Sequence, residues 1–93
     1  KAQMVYLLHF SEPYRHAQHY IGYCEEDHLQ ERLDRHLRGN GARLVRVIAQ
    51  AGISVEIART WPGADRAFER QLKNRKNAKN LCPICRALRK EDL

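Results

Sequence analysis

The sequence lacks any long hydrophobic segment. None of its apolar runs approaches the roughly 18 residues that a membrane-spanning helix needs, and its first residues do not form a signal-peptide pattern. Cysteine is also scarce, because three residues are an odd number that suits reduced thiols better than a disulfide framework. We therefore expect a soluble, cytoplasmic protein without a membrane partner, and we exclude a disulfide-stabilised secreted domain.

Acidic residues are few relative to basic ones. Eleven Asp and Glu oppose 17 Lys and Arg, so the chain of 93 residues carries a net charge of +6. This length allows one domain, here taken as residues 1–93, with one modest core, and it excludes a large two-lobed enzyme. The positive charge favours a polyanionic partner such as nucleic acid or an acidic membrane surface, and we expect a monomer.

Hydrophobic periodicity in the first half of the chain predicts a hairpin followed by a helix. Apolar, β-favouring runs at 4–10 and 19–24 are joined by polar residues 11–18, which we interpret as a loop. Leucines at every fourth position then predict a helix over 27–38, with Asp27 and Gln30 as a capping box and Gly39 as its end.

The second half predicts a shorter helix within 42–52, a strand at 53–60, a turn at TWPG and a charged helix over 64–80. The tail RALRKEDL predicts a final helical turn. The predicted fold is α/β of the α+β kind. It is a small three-stranded antiparallel sheet flanked by helices, in the order β-β-α-α-β-α.

Two residues of the first predicted helix have side chains suited to phosphate chemistry. Arg32 and His36 are four residues apart, so they share one flank of the helix. Arginine offers several donors to phosphate oxygens, and a neutral histidine can move a proton near neutral pH. Tyr6 and Tyr20 lie on the predicted strands. The alternatives are a solvated helix face for the first pair and core aromatic residues for the tyrosines.

Glu69 lies next to Phe68, at the edge of the apolar stripe of the charged helix. A carboxylate there could bind a hard cation such as Mg²⁺, which prefers oxygen ligands and keeps several waters. The alternative is an ion pair with Lys73 at position i+4.

Together these residues resemble the GIY-YIG endonuclease family. The first signature appears as MVY, which ends at Tyr6 and keeps only the tyrosine of the usual triad, and the second appears as YIG at 20–22. LQERL (29–33) is similar to the family's helix with an arginine at Arg32, and His36 follows where many members have His or Tyr. AFERQLKN is similar to the family's glutamate helix, with Glu69 in the metal position.

The resemblance implies hydrolysis of DNA phosphodiester bonds with one metal ion. Glu69 would hold Mg²⁺ or Mn²⁺, and Arg32 would neutralise charge on the scissile phosphate. Tyr6 and Tyr20 would hydrogen-bond the attacking water. Tyr6 is the favoured general base, with a pKa lowered by Arg32 and the metal, and His36 would accept or relay the proton.

The resemblance also implies a DNA-binding surface near the catalytic residues. Gly22 would let a phosphate or a metal-bound water approach the sheet. The family's asparagine after the glutamate corresponds best to Asn80, then to Asn77, with Asn74 as a further candidate. The basic segment 73–80 predicts a phosphate track rather than a solvated face. We do not expect it to recognise DNA sequence, because few aromatic residues lie among its basic ones. Its cations are Lys73, Arg75, Lys76 and Lys79.

Two features remain outside the resemblance. Cys82 and Cys85 form a lone CxxC, and within the sequence only Cys24 and scattered histidines could complete a tetrahedral zinc site. Reduced thiols, or half of a site finished by residues beyond Leu93, are therefore favoured over zinc. Trp61 is interpreted as a core or lid residue rather than a stacking platform. The alternatives to a nuclease are a catalytically silent nucleic-acid-binding module and a small protein-interaction adaptor.

Overall fold

The sheet of the computed structural model has three antiparallel strands. The structure describes residues 2–15, 17–38, 43–76 and 78–91. The strands are β1 (Gln3–Tyr14), β2 (Ala17–Glu25) and β3 (Val55–Pro62), in the spatial order β2-β1-β3. β1 lies in the centre with residues 4–10 all buried, because its continuous apolar run can be covered on both faces. The predicted fold class is confirmed.

Helices cover both faces of this sheet. They are α1 (Leu29–Leu37), α2 (Arg43–Gln50), α3 (Arg66–Arg75), α4 (Ala78–Leu81) and α5 (Pro83–Glu91). Side chains alternate along β1, so two cores form. The first core, beneath α1 and α2, is built around Met4, Tyr6, Leu8, Phe10, Cys24, Val45 and Ile48. The second core, beneath α3, α4 and α5, is built around Val5, Leu7, Ile21, Leu72, Cys82 and Cys85.

The hairpin is longer than predicted, because most of the predicted loop 11–18 is strand. His9 pairs with His19 and Tyr14 pairs with Ala17, so residues 10–13 of β1 bulge opposite residue 18 of β2. A bulge accommodates Pro13, which has no N–H to donate. On the other side, the backbone N–H of Ser11 donates to Ser54 O at 2.9 Å. Backbone pairing of this kind does not depend on hydrophobicity. The polar side chains of residues 11–18 therefore predicted a loop where the structure has mostly strand.

The helix predicted over 27–38 is divided in the structure. A 3-10 helix at Glu26–His28 precedes α1, and neither of the two begins with a side-chain capping hydrogen bond. The predicted capping box is therefore wrong. The amide of Gln30 instead donates to Asp34 Oδ1 at 3.1 Å, which is an i,i+4 contact on the exposed face. The predicted stop at Gly39 lies outside the described residues.

The third strand lies two residues later than predicted and includes most of the TWPG sequence. Pro62 is tolerated because β3 is an edge strand. Of the four TWPG residues, Gly63 alone lies in a turn, with φ of 82°. Its N–H donates to Gln3 O at 2.7 Å. The second predicted helix, placed within 42–52, corresponds to α2.

The charged helix predicted over 64–80 ends at Arg75, because Lys76 adopts a left-handed conformation with φ of 53°. Two further helices, α4 and α5, follow where the sequence predicted a helix end and one final turn. Asp65 fixes the start of α3, since its Oδ1 accepts from the N–H of Phe68 at 3.0 Å. No described helix is both long enough and apolar enough to cross a membrane.

Candidate functional site

The two tyrosines predicted to be catalytic lie side by side on β1 and β2. Tyr6 pairs with Gly22 and Leu8 pairs with Tyr20, so Tyr20 occupies the position diagonal to Tyr6 on the same face. Their ring centroids are 6.4 Å apart. The antiparallel register therefore brings both phenols to the face covered by α1.

His36 reaches these tyrosines from α1. Its side chain is buried, and the distance between its Nε2 and Tyr6 Oη is 3.1 Å. The ring of Tyr20 meets the imidazole edge-on, with centroids 5.5 Å apart. The three aromatic side chains form one group, defined here as the aromatic triad (Tyr6, Tyr20, His36), which the spacing in the sequence does not place together.

Gly22 makes room for this triad. A Cβ on Gly22 would overlap Cζ and Oη of Tyr6 and would lie 2.7 Å from Cε2. The residue that approaches the bare backbone is therefore the phenol of Tyr6, rather than the phosphate or metal-bound water expected from the sequence. Contact of Gly22 with DNA stays a prediction.

The protonation states of Tyr6 and His36 follow from their surroundings. Burial raises the pKa of the Tyr6 phenol, and this effect outweighs the opposing influence of the Arg32 charge. Arg32 therefore lowers this pKa as expected, but by less than burial raises it, and the contribution of a bound metal stays a prediction. Burial lowers the pKa of His36, and the nearby arginines Arg32 and Arg35 lower it further. At neutral pH both groups are accordingly uncharged, and the phenol can donate to Nε2 in the imidazole tautomer that carries its proton on Nδ1.

Arg32 lies at the rim of the triad. It is exposed, one turn before His36, and its charge lowers the pKa of both Tyr6 and His36. It also lines a small surface cavity of about 90 Å³ together with His28, Glu31 and Arg35. An exposed guanidinium beside buried neutral groups can bind an anion without an entry path through the core.

Glu69 approaches the triad from α3, which packs against the edge strand β2. Its charge contributes to the raised pKa of Tyr6. Glu69 Oε2 lies 3.3 Å from Lys73 Nζ, so the ion pair considered as the alternative does form. Lys73 Nζ in turn lies 5.8 Å from the ring centroid of Tyr20. The carboxylate and this lysine thus extend the triad across the β2 edge.

The basic segment continues past α3. Arg75 and Lys76 are exposed at the end of the helix, and Asn74 and Asn80 are exposed beside it. Asn77 and the side chain of Lys79 lie outside the described residues. A phosphate track along this segment stays a prediction.

Trp61 belongs to the second core, as predicted. Trp61 packs edge-on against Phe68 with ring centroids 5.8 Å apart. The guanidinium of Arg59 lies 4.8 Å from the ring centroid of Trp61.

A second group of reactive side chains lies on the opposite face of the sheet. His9, His19, Cys82 and Cys85 place one nitrogen or sulfur atom each within 4.8 Å of one another. From the sequence, only Cys24 and scattered histidines could complete a site with the CxxC, and zinc was not favoured. Two of those histidines do lie beside the CxxC, whereas Cys24 is buried in the first core. The missed signal was the symmetric placement of two histidines about the hairpin, because His9 and His19 become direct cross-strand neighbours.

A wider cavity of about 780 Å³ lies at the tip of the hairpin, away from the triad. It is lined by Tyr14, Arg15, Ala17, Arg43, Leu44 and Val47. None of these lining residues is a carboxylate, a histidine or a cysteine.

Comparisons of the chain with models of known families, with curated proteins and with solved structures find no match in any of the three. The chemistry of the triad and its charged rim is therefore the basis for inferring function.

Proposed function

We propose that this chain is a metal-dependent endonuclease domain of the GIY-YIG type that hydrolyses DNA phosphodiester bonds. The observation that supports the proposal most directly is the hydrogen bond of 3.1 Å between Tyr6 Oη and His36 Nε2, with Tyr20 beside it. The three residues belong to three different elements and match the tyrosines and the helix histidine of the resemblance.

The surroundings of the triad favour catalysis over a purely structural role. A buried tyrosine bonded to a histidine is common in cores, but here Arg32 and Glu69 add charges of both signs at its rim. Opposed pKa shifts on Tyr6 and His36 are typical of an acid–base pair. A core histidine would not require an exposed arginine and a carboxylate beside it.

Glu69 fits the requirement for a divalent cation. Its carboxylate is 16% exposed, and its partner Lys73 is 49% exposed. An ion pair with one partner in solvent is worth about 1 kcal/mol or less, so a divalent cation can replace the lysine at small cost. Bound Mg²⁺ or Mn²⁺ would supply electrostatic stabilisation to the phosphate and the departing 3′ oxygen.

The residues of the chain would then carry the proton and the phosphate. The Arg32 guanidinium would donate to the phosphate oxygens, and the Tyr20 hydroxyl would orient the attacking water. Because His36 is unprotonated, Tyr6 can accept the water's proton while it passes its own to Nε2. His36, rather than Tyr6 alone, is therefore the final proton acceptor that we assign.

DNA would approach along the β2 edge, where the positive groups lie. Lys73 is exposed and pairs with Glu69, and Arg75 and Lys76 are exposed at and just after the end of α3. Contacts between such cations and phosphates bind polyanions without sequence preference.

The test is cleavage by Glu69→Gln on branched, nicked and plain duplex DNA with Mg²⁺ and with Mn²⁺. The amide keeps the shape of Glu69 but lacks the charge that a hard cation needs, so cleavage should vanish while DNA binding persists. Glu56→Gln is the matched control, because Glu56 is an exposed carboxylate on β3, at the opposite edge of the sheet. If Glu69→Gln cuts DNA as fast as Glu56→Gln and the wild-type chain, Glu69 is excluded as the metal ligand.

A second variant tests the phosphate contact. Arg32→Ala should lower turnover by a factor of about 10², with a smaller effect on DNA binding. Arg35→Ala is the matched control, because Arg35 is exposed on the same helix and pairs with Glu31 at 3.5 Å. A wild-type chain that binds all three DNA substrates and cuts none would instead be the silent nucleic-acid-binding module.

A further inference from the structure

We propose that His9, His19, Cys82 and Cys85 form a structural zinc site that anchors the C-terminal helices to the β-hairpin. This site lies outside the proposed nuclease chemistry and does not depend on it. The four residues come from β1, β2 and the junction between α4 and α5.

The strand register and the helix start converge on one point. His9 and His19 are direct cross-strand partners, so both side chains project from the same face of the hairpin. Cys82 precedes α5 and Cys85 lies in its first turn, three residues later. Both thiols are buried in the second core, which covers that face.

The distances between the ligand atoms match a tetrahedral zinc ion. Nδ1 of His9 lies 3.5 Å from Cys82 Sγ and 3.6 Å from Cys85 Sγ. Nε2 of His19 lies 3.3 Å from Cys85 Sγ and 3.4 Å from His9 Nδ1. Zinc with bonds near 2.3 Å to sulfur and 2.0 Å to nitrogen separates S and N ligand atoms by about 3.5 Å and two N atoms by about 3.3 Å.

Hydrogen bonds alone do not account for this arrangement. Nδ1 of His9 faces three other atoms of the group at 3.4 to 3.6 Å. A ring nitrogen carries either one proton or one lone pair, so it can serve one such partner well and not three. A cation at the centre satisfies all four atoms together, and a pair of thiolates with a pair of imidazoles is a donor set that zinc prefers.

The burial of three of the four ligands fits a structural role. His9 is 3% exposed, Cys82 is fully buried and Cys85 is 5% exposed, whereas His19 is partly exposed. Four protein ligands leave no open position for a water or a substrate. His9 also projects from the opposite face of β1 to Tyr6, so the ion would not touch the aromatic triad.

The ion would add to the contacts that hold α4, whose Ala78 and Leu81 pack against the second core. α4 has four residues, and among its described contacts the carbonyl of Leu81 accepts from Arg59 at a long 3.5 Å. Binding would fix the residues on both sides of that helix end to the centre of the sheet. Since both thiols must lose their protons to bind zinc, occupancy should fall as the pH is lowered.

The first experiment measures metal in the tag-free wild-type chain, purified without chelator. Mass spectrometry of the metal should find about one zinc per chain, and X-ray absorption at the zinc edge should show two sulfur and two nitrogen ligands. This measurement needs no variant, so it does not depend on whether a variant folds. A folded wild-type chain that takes up no added zinc, or whose zinc has no sulfur ligands, would overturn the proposal.

The second experiment assigns the ligands by replacing zinc with Co²⁺. The wild-type chain should show the intense visible absorption of a tetrahedral ion and thiolate-to-cobalt charge transfer. Cys85→Ser should weaken the charge-transfer band and lower the affinity by at least tenfold, and Cys24→Ala should change neither. A Cys82–Cys85 disulfide in the native chain, detected as a loss of two mass units and assigned to this pair by peptide mapping, would also refute the site.

Discussion

Gly22 lies beneath the phenol of Tyr6, and Gly22→Ala is therefore expected to displace that ring. An added Cβ would overlap Cζ and Oη of Tyr6, which are held in the first core and cannot move away freely. The backbone of Gly22 is not in the left-handed region, so the whole effect comes from this overlap. The hydrogen bond from Tyr6 to His36 should be lost with the ring position.

The magnitude follows from overpacking a core. Inserting a methyl group into a packed site costs about 1 to 3 kcal/mol. For a domain of this size, each kcal/mol lowers the melting temperature by about 4 to 8 °C, so we expect a fall of about 4 to 24 °C. Calorimetry would measure the fall, and cleavage assays should show that activity disappears at temperatures where the variant remains folded.

A double-mutant cycle isolates the clash. A Tyr6→Ala background removes the three atoms nearest to the added Cβ, and alanine is favoured over glycine in a strand by about 0.5 to 1 kcal/mol. Gly22→Ala should then be neutral or stabilising, so its effect changes sign between the two backgrounds. The same destabilisation in both backgrounds would refute the contact between Gly22 and Tyr6 as its cause.

Three further outcomes follow from the same structure. An NMR titration of the His36 imidazole should give a pKa below the ordinary 6.5, because burial and nearby arginine charges oppose protonation. Because the unfolded chain then binds the proton more readily, the contribution of His36 to stability is present above pH 6.5 and is lost as the pH falls through the folded-state pKa. A measured pKa above 6.5 would contradict the expected effect of burial. The triple change of Lys73, Lys76 and Lys79 to alanine should flatten the slope of log K for DNA against log salt, whereas an unchanged slope places the track elsewhere. Removal of zinc by a chelator should lower the melting temperature measured by circular dichroism, and re-addition of zinc should restore it, whereas Mg²⁺ should not.

Local periodicity was sufficient for the main elements of the fold. The apolar run of β1 and the leucines of α1 each report burial on a particular face, because residue spacing along one element determines which side chains share that face. The ends of the helices and strands could not be predicted as well from the sequence. The extension of β1 to Tyr14 depends on backbone pairing with Ala17 of β2 and with Ser54, and the end of α3 depends on one left-handed residue, Lys76.

The candidate catalytic residues could be named from the sequence, but their arrangement could not. The family resemblance selected Tyr6, Tyr20 and His36 by motif, whereas the contact between Tyr6 and His36 depends on how α1 packs across the sheet. The raised pKa of Tyr6 follows from the same packing, since burial at that position outweighs the charge of Arg32. Charge spacing along the chain carries no information on burial of this kind.

By itself the sequence determined the antiparallel sheet flanked by helices and the basic character, because composition and short-range periodicity encode these properties directly. The residues expected to act on phosphate came from the family resemblance and stay a prediction. Only the tertiary structure decided which residues meet. His9 and Cys82 are 73 positions apart, and they come together because a strand register and a helix packing act at once. A group of side chains spread over several elements has no fixed spacing in the sequence. Only folding therefore brings Cys82 and Cys85 next to His9 and His19.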